Sequence, residues 1–414
     1  MGLEVRTLEA ADLPGWLRAV NTGFLRAPTV SDEEVEVRRQ EIDLSRTQGA
    51  YDAGRCVATF RSMPREVTVP GGALLDTDAI TNVTVTATHR RRGLATRLMA
   101  NDLRAAKEER GEALAILIAA EYPIYGRFGF GPATSYTEWF VEVPRAQLRP
   151  VPLPEGARID LAEPAEVRKV GPEVHERFRR RTPGAINRTE LWWQLETGEI
   201  RNPAQGWTEP MFAVYRDATG QATGLATYTV EEKWHGMYPE CPLSVRGLIA
   251  ATPEAEAALW RFLLSVDWVS TVKAGIRAPD DLLPDLLGDP RCAKVDTTAD
   301  LMWVRVLDPK RALEARTYAP VPGALVLDIQ DPLGHAAGRY RLEVAADGTA
   351  QAAPTTASPD LTLPVASLGA LYLGNESVLR LAALGRLAEE TPGAAILADA
   401  LFRTPRRPWC PDIF

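Results

Sequence analysis

The sequence predicts a protein of mixed α/β, α+β class built from three successive units. Three observations carry that prediction. The length of 414 residues is a soft prior for two or three domains rather than one. An order of strand, turn, helix and strand occurs in the first region and again in the second. The pattern then changes after about residue 305.

In the first region, "RCVATFRSMPREVTVPGGALLDTDAITNVTVTA" reads as successive strands, with Gly71 and Gly72 marking a turn between two of them. Being neighbours in sequence, they are expected to pair antiparallel. After three consecutive arginines, Ala95, Leu98, Met99, Leu103 and Ala106 recur at helical spacing, and Gly111 stands where the helix should stop. "ALAILIAA" is a short continuous apolar run, as in a strand buried on both faces. Upstream, "SDEEVEVRRQEID" reads as an amphipathic helix.

The proline-rich stretch "VPRAQLRPVPLPEGAR" cannot easily continue a sheet or a helix, so the first unit is expected to span residues 1–148. A second unit, 149–304, repeats the order. "MFAVYRDATGQATGLATYTVEEKW" reads as a hairpin and "LSVRGLIA" as a strand. "TPEAEAALWRFLLSV" reads as a helix with Thr252 as cap and Pro253 in its first turn, and "STVKAGIRA" as a further strand. Its turn between Ala250 and Pro253 lacks both the glycine and the arginines, so this copy is expected to lack the first copy's site. The third unit, 305–414, combines the hairpin "GALVLDIQDPLGHAAGRYRLEVAADG", the strand "PDLTLPVA" and helical stretches after Ser367 and Glu376. It ends on the compact tail "RPWCPDIF".

At 45% hydrophobic and 25% charged, the chain can bury a sizeable core. Its net charge of −8 argues against a general nucleic-acid binder. Cys56, Cys241, Cys292 and Cys410 lie far apart without a Cys-x-x-Cys pair, which suggests neither a disulfide framework nor a zinc site. His89, His175, His235 and His335 are too scattered for a metal constellation, so no metal is expected. The acidic start and the absence of any apolar run near ~18 residues point to a cytoplasmic protein without a membrane partner.

The chemistry concentrates at "ATHRRRGLATRL". A strand end, a glycine without a side chain and a helix N-terminus together make an anion cradle, since unpaired amides and the helix dipole favour negative charge. Arginines alongside add charge-assisted hydrogen bonds. The pattern is neither Gly-x-x-x-x-Gly-Lys-Ser/Thr nor Gly-x-Gly-x-x-Gly, so nucleoside triphosphates and dinucleotides are not favoured. A solvated basic turn has the same composition, and the flanking strand and helix tip the reading toward the cradle.

Arg90-x-x-Gly93-x-Ala95 in this context resembles the pyrophosphate motif of the GCN5-related N-acetyltransferases. "YPIYGRFGFGPATSYTEWFVEV" is similar to the tyrosine-containing segment of the enhanced intracellular survival (Eis) acetyltransferases. The resemblance covers essentially the whole chain. It implies tandem GCN5-related acetyltransferase folds, the second degenerate, followed by a sterol-carrier-like domain. It further implies acetyl-CoA as co-substrate, a small-molecule primary amine (aminoglycoside, polyamine-like or other) as acceptor, and a homo-oligomer, hexameric by resemblance.

Residue by residue, the resemblance implies that main-chain groups at Val83, Thr84 and Val85 face the thioester and the pantetheine arm. The segment Arg90, Arg91, Arg92, Gly93, Leu94, Ala95 and Thr96 would hold the pyrophosphate. Tyr125 matches the general acid, because a phenol of pKa near ~10 stays protonated at neutral pH and can supply a thiolate. Phe414 matches the terminal residue whose carboxylate serves as base, with Asp412 as a second carboxylate. On the acceptor side, Asp32, Glu33 and Glu36 could attract a cationic amine. Phe24, Arg26 and Val35 stand where the family's tryptophan and aspartate are not matched, which suggests an acceptor smaller or less highly charged than an aminoglycoside. The rival reading is a non-catalytic lipid or acyl-CoA carrier that uses the third unit.

Overall fold

A computed structural model describes residues 3–149, 153–204 and 206–414; the centre of the proline-rich stretch, 150–152, lies outside the described residues. The first region contains β1 (Glu4–Thr7), α1 (Leu13–Gly23), α2 (Asp32–Glu41), β2 (Thr47–Asp52), β3 (Arg55–Thr68), β4 (Leu74–Val85), α3 (Leu94–Glu108), β5 (Leu114–Ile118), α4 (Tyr122–Tyr125), β6 (Gly131–Pro132) and β7 (Ser135–Glu142). The second contains β8 (Arg158–Ala162), α5 (Pro164–Arg179), α6 (Glu190–Glu196), β9 (Met211–Arg216), β10 (Ala222–Val230), β11 (Trp234–His235), β12 (Tyr238–Pro239), β13 (Cys241–Ala250), α7 (Pro253–Leu264), β14 (Val269–Arg277), α8 (Leu283–Leu286), β15 (Ala293–Asp300) and β16 (Met302–Val306). The third contains α9 (Pro309–Ala315), β17 (Gly323–Gln330), β18 (Gly338–Val344), β19 (Ala350–Pro354), β20 (Leu361–Pro364), α10 (Val365–Tyr372), α11 (Val378–Ala383), β21 (Ala388–Glu389) and α12 (Ala394–Phe402).

Among the described residues, the first sheet runs in the order β1, β2, β3, β4, β5, β16, β6 and the second β15, β7, β14, β13, β10, β9, β8. Both contain one parallel pair joined by a helical crossover: β4 with β5 through α3, and β13 with β14 through α7. The order expected from sequence is therefore present twice. The cuts at 148 and 304, however, do not separate the sheets. β7 pairs with β14 and β15 in the second sheet, whereas β16 pairs with β5 and β6 in the first. Each sheet thus completes itself with a strand from the other side of the proline-rich stretch.

The crossover α3 shows how sequence dictates packing here. Leu94, Leu98, Met99, Leu103 and Ala106 are buried, so the stripe begins at Leu94, with Ala95 only half-buried. Each of the larger side chains contributes about 1.5–3 kcal/mol by leaving water. They pack on Val57, Phe60, Ile80 and Leu117 of the sheet. On the opposite side, residues of the first sheet such as Val67, Ala79, Leu114 and Val304 share one core with Leu325, Leu327, Leu342 and Leu368 of the third unit. Close approach there requires glycine: a Cβ on Gly131 would collide with the Ala366 carbonyl, and one on Gly369 with that of Val304.

After α12 the tail leaves the third unit and docks on the second. The Trp409 amide donates to the Pro183 carbonyl at 2.8 Å, and its ring meets Phe178 edge-on at 5.7 Å beneath the Arg277 guanidinium at 4.7 Å. Cys410 is fully buried. Among the described residues no helix is long and apolar enough to cross a membrane.

Candidate active site

The parallel strands β4 and β5 are paired only from Thr77 to Ile80 against Leu114 to Leu117. Beyond that they part, and a cavity of about 820 Å³ occupies the opening. Thr81, Asn82 and Val83 line one wall, and Leu117, Ile118 and Tyr125 the other; Trp16 of α1, Phe24 just after it, and Glu34 and Arg38 of α2 also border it. A register shift between Thr59 and Arg61 interrupts the pairing of β3 with β4 here. Asn82 adopts φ +52°, and its carbonyl accepts the Thr59 hydroxyl at 2.7 Å. Val83 and Val85 are half-buried. Thr84 is buried and shares a 2.7 Å hydrogen bond with Thr59. Among the described residues, the backbone of β4 past Ile80 has no strand partner on its β5 side, which leaves peptide groups available to an extended ligand.

At the exit of β4, Arg90, Arg91, Arg92, Gly93 and Thr96 are exposed. Gly93 is the N-cap of α3 with φ +75° and no side-chain cap, preceded by Arg91 at φ +63°. The first-turn amides of α3 therefore face outward uncapped, beside three cationic side chains, a donor set suited to a diphosphate. Leu94 turns its side chain into the core and can offer only its amide. The corresponding turn of the second copy is closed: Thr252 caps α7 by accepting from the Ala255 amide at 3.2 Å.

Tyr125 ends the single turn of α4, 8% exposed, on the cavity wall; its ring meets Phe130 edge-on at 6.4 Å. Burial, then the charge of Glu121, pushes its phenol above the usual range, so it holds its proton at neutral pH. Phe414 borders the same cavity, delivered there by the docked tail. Among the described residues its terminal carboxylate forms no ion pair. Asp412 is not a second free carboxylate. It is buried, and one oxygen accepts from Arg188 Nε at 2.9 Å.

The acceptor-side expectation needs correction at three residues. Phe24 borders the cavity, but Asp32 and Glu36 lie on the exposed face of α2, as does Glu33, and Glu36 lies 3.5 Å from Arg39. The inward stripe is Glu34, Arg38 and Ile42, at spacing i, i+4, i+8. The periodicity of this helix identifies which acids share a face, but its short, weakly apolar stripe did not reveal which face turns inward. Glu34, Arg38, Arg61 and Asn82 were missed by sequence reasoning. Arg61 sits inside a strand of mostly apolar and small residues, a signal of a buried charge that could have been read.

Residues 4–133 match the acetyltransferase (GNAT) domain family, residues 184–306 match a second acetyltransferase (GNAT) domain family, and residues 309–411 match the sterol carrier protein domain. A Streptomyces avermitilis protein named as an uncharacterized N-acetyltransferase is 56% identical over 415 residues, covering 100% of this chain and 99% of that protein. N-acetyltransferase Eis of Mycobacterium tuberculosis is 33% identical over 360 residues, 86% of this chain and 85% of that one. The crystal structure of Eis1 from Mycobacterium abscessus matches with a TM-score of 0.85 at 30% identity, covering 100% of both chains. With a wedge-opened sheet, an uncapped helix start and relatives aligned over most or all of their length, the chain belongs to the Eis-like N-acetyltransferases of the GCN5-related family.

Proposed function

We propose that this N-acetyltransferase takes acetyl-CoA as donor and transfers the acetyl group to a primary amine of a small molecule. The observation that carries the reading is the parting of β4 from β5 beside the uncapped start of α3 at Gly93. The exposed Arg90, Arg91 and Arg92 and the amides of Gly93 to Thr96 suit the diphosphate of coenzyme A, and the free edge of β4 at Val83 to Val85 suits the peptide-like arm. Acetyl-CoA bound there supplies the activated acyl group.

The chain's own residues supply the proton traffic. Tyr125 keeps a proton ready on the cavity wall for a departing sulfur. The carboxylate of Phe414, without an ion-pair partner among the described residues, is free to take a proton from the acceptor ammonium. A carrier has no use for this combination, although the sterol carrier match of residues 309–411 keeps lipid binding as a second property to measure. Cytoplasmic location and a homohexamer complete the reading.

Thiol release from acetyl-CoA with a panel of primary amines tests it directly: turnover with at least one amine is expected, and lipid binding without turnover would favour the carrier. Appending two residues after Phe414 is expected to abolish turnover without unfolding the chain. A fully active extended form removes the terminal carboxylate as base. Light scattering measures the subunit number.

A further inference from the structure

A second cavity of about 800 Å³ adjoins the first, and the two share Arg38, Arg61, Thr81, Asn82 and Phe414 in their walls. Charge is distributed unevenly between them. Arg61 is 7% exposed, yet among the described residues it donates only to the Glu41 carbonyl at 2.6 Å, and its Nε has no partner there. A guanidinium buried that deeply is ordinarily held by a carboxylate. The acids nearest Arg61 are committed elsewhere: Glu41 to Arg38 at 2.6 Å and Asp43 to the amide and hydroxyl of Ser45; Asp412 gives one oxygen to Arg188, and its charge also acts on Arg65. Glu196, also on the wall, is held above the usual carboxyl range by burial. Four residues further along the same face of β3, beyond Met63, stands Arg65; it is half-buried and among the described residues donates only to the Pro64 carbonyl. Burial lowers the Arg61 guanidinium to about 10, which leaves it charged at neutral pH.

Resting on the acetyltransferase reading, we infer that the acceptor amine also carries an anionic group, a carboxylate or phosphate, received by Arg61 with Arg65 behind it. Such a molecule lays its ammonium toward Glu34 and the terminal carboxylate in the first cavity and its anion toward the arginines in the second. Trp192 and Trp207 also line the second cavity and offer apolar surface to the body of such a molecule. A polyamine, by contrast, brings its second ammonium against Arg61 and is repelled.

The test uses the full chain and amines matched except for the anion: lysine against cadaverine, tryptophan against tryptamine, and O-phosphoethanolamine against ethanolamine. In at least one pair the anionic member is expected to have the larger kcat/KM by about tenfold or more, the amount one charge-assisted hydrogen bond commands. Arg61→Gln is expected to remove that preference while leaving the dissociation constant of CoA unchanged. Arg65→Gln is expected to reduce it and serves as the measurement if Arg61→Gln does not fold. The pair that responds separates carboxylate from phosphate. Preference for the members that lack the anion, or no preference, unaltered in both variants, overturns the inference and leaves acetyl transfer standing. If no amine is acetylated, equilibrium titration of the same amines onto CoA-saturated protein decides. Arginine-dependent binding of the anionic members upholds the inference and removes the transfer reading, and its absence overturns both.

Discussion

Arg188 Nε meets a carboxylate oxygen of Asp412 at 2.9 Å, with both side chains under a tenth exposed. The guanidinium also lies over the Trp192 ring at 3.9 Å. This contact joins the second unit to the last residues of the chain and so sets where Phe414 ends. His175 Nε2 lies 4.0 Å from the other Asp412 oxygen, but burial and the charges of Arg188 and Arg179 drive its pKa down to about 2, so it is neutral and no ion pair forms. Burial raises the Asp412 carboxyl and Arg188 opposes the rise. Removing one partner of a buried pair costs about 3–5 kcal/mol, and the readiness of Asp412 to take up a proton puts this site at the lower end. Arg188→Met is therefore expected to lower unfolding stability by about 3 kcal/mol in denaturant titration. Turnover should fall further than CoA affinity, because the tail rather than the donor site is released.

Tyr125→Phe removes one oxygen that bonds to no described residue. Stability is expected to change by less than about 1 kcal/mol. Turnover is expected to drop by about a hundredfold, the usual worth of a general acid, with CoA affinity unchanged by calorimetry. Because burial raises this phenol, any loss of activity from its ionisation belongs above pH ~10, so a plateau through pH 9 is expected in the pH–rate profile.

Gly93→Val tests the cradle. A Cβ at Gly93 meets no atom within 4 Å, so the cost is one of backbone conformation alone, at φ +75°. Holding a branched residue there costs about 1–3 kcal/mol. Relaxation of the turn away from that conformation is expected to weaken CoA binding by about tenfold or more, measured by titration.

Glu256 gives a pH-dependent test in the second unit. Burial and then the charge of Asp281 raise its carboxyl to about 7, against the opposing pull of Arg277 and Arg406. A group whose pKa is raised on folding stabilises the protein fully below its unfolded value of 4.5 and loses that contribution as pH climbs to about 7. Glu256→Gln removes the ionisation. Its melting temperature relative to the parent chain is expected to be flat below pH 4.5, to rise between there and pH 7, and to stay level above.

Much of the local structure around the turn at Gly93 was legible in the sequence. The hairpin at Gly71 and Gly72, the turn at Gly93, the helix after it and the buried strand 114–118 all rest on patterns within a few residues. The cap at Thr252, which closes the second copy's turn, was legible for the same reason. The acceptor side was less so. Asp32 and Glu36 share a face of α2, as their spacing requires, but that face meets water, and Glu34 and Arg38 take the cavity instead.

The sequence by itself determined the local elements, the three-unit order and the Arg-Gly turn, because each is set by near-neighbour dihedral preferences and by the period of apolar residues. Only the tertiary structure decided the exchange of β7 and β16 between sheets, the docking of the tail on Pro183 and Arg188, and the isolation of Arg61 between two cavities. Strand pairing runs through backbone groups that are the same in every residue, so a strand's pattern fixes which side chains share its face but not which distant strand lies beside it. Whether a buried charge finds a partner depends on where every neighbouring element finally packs.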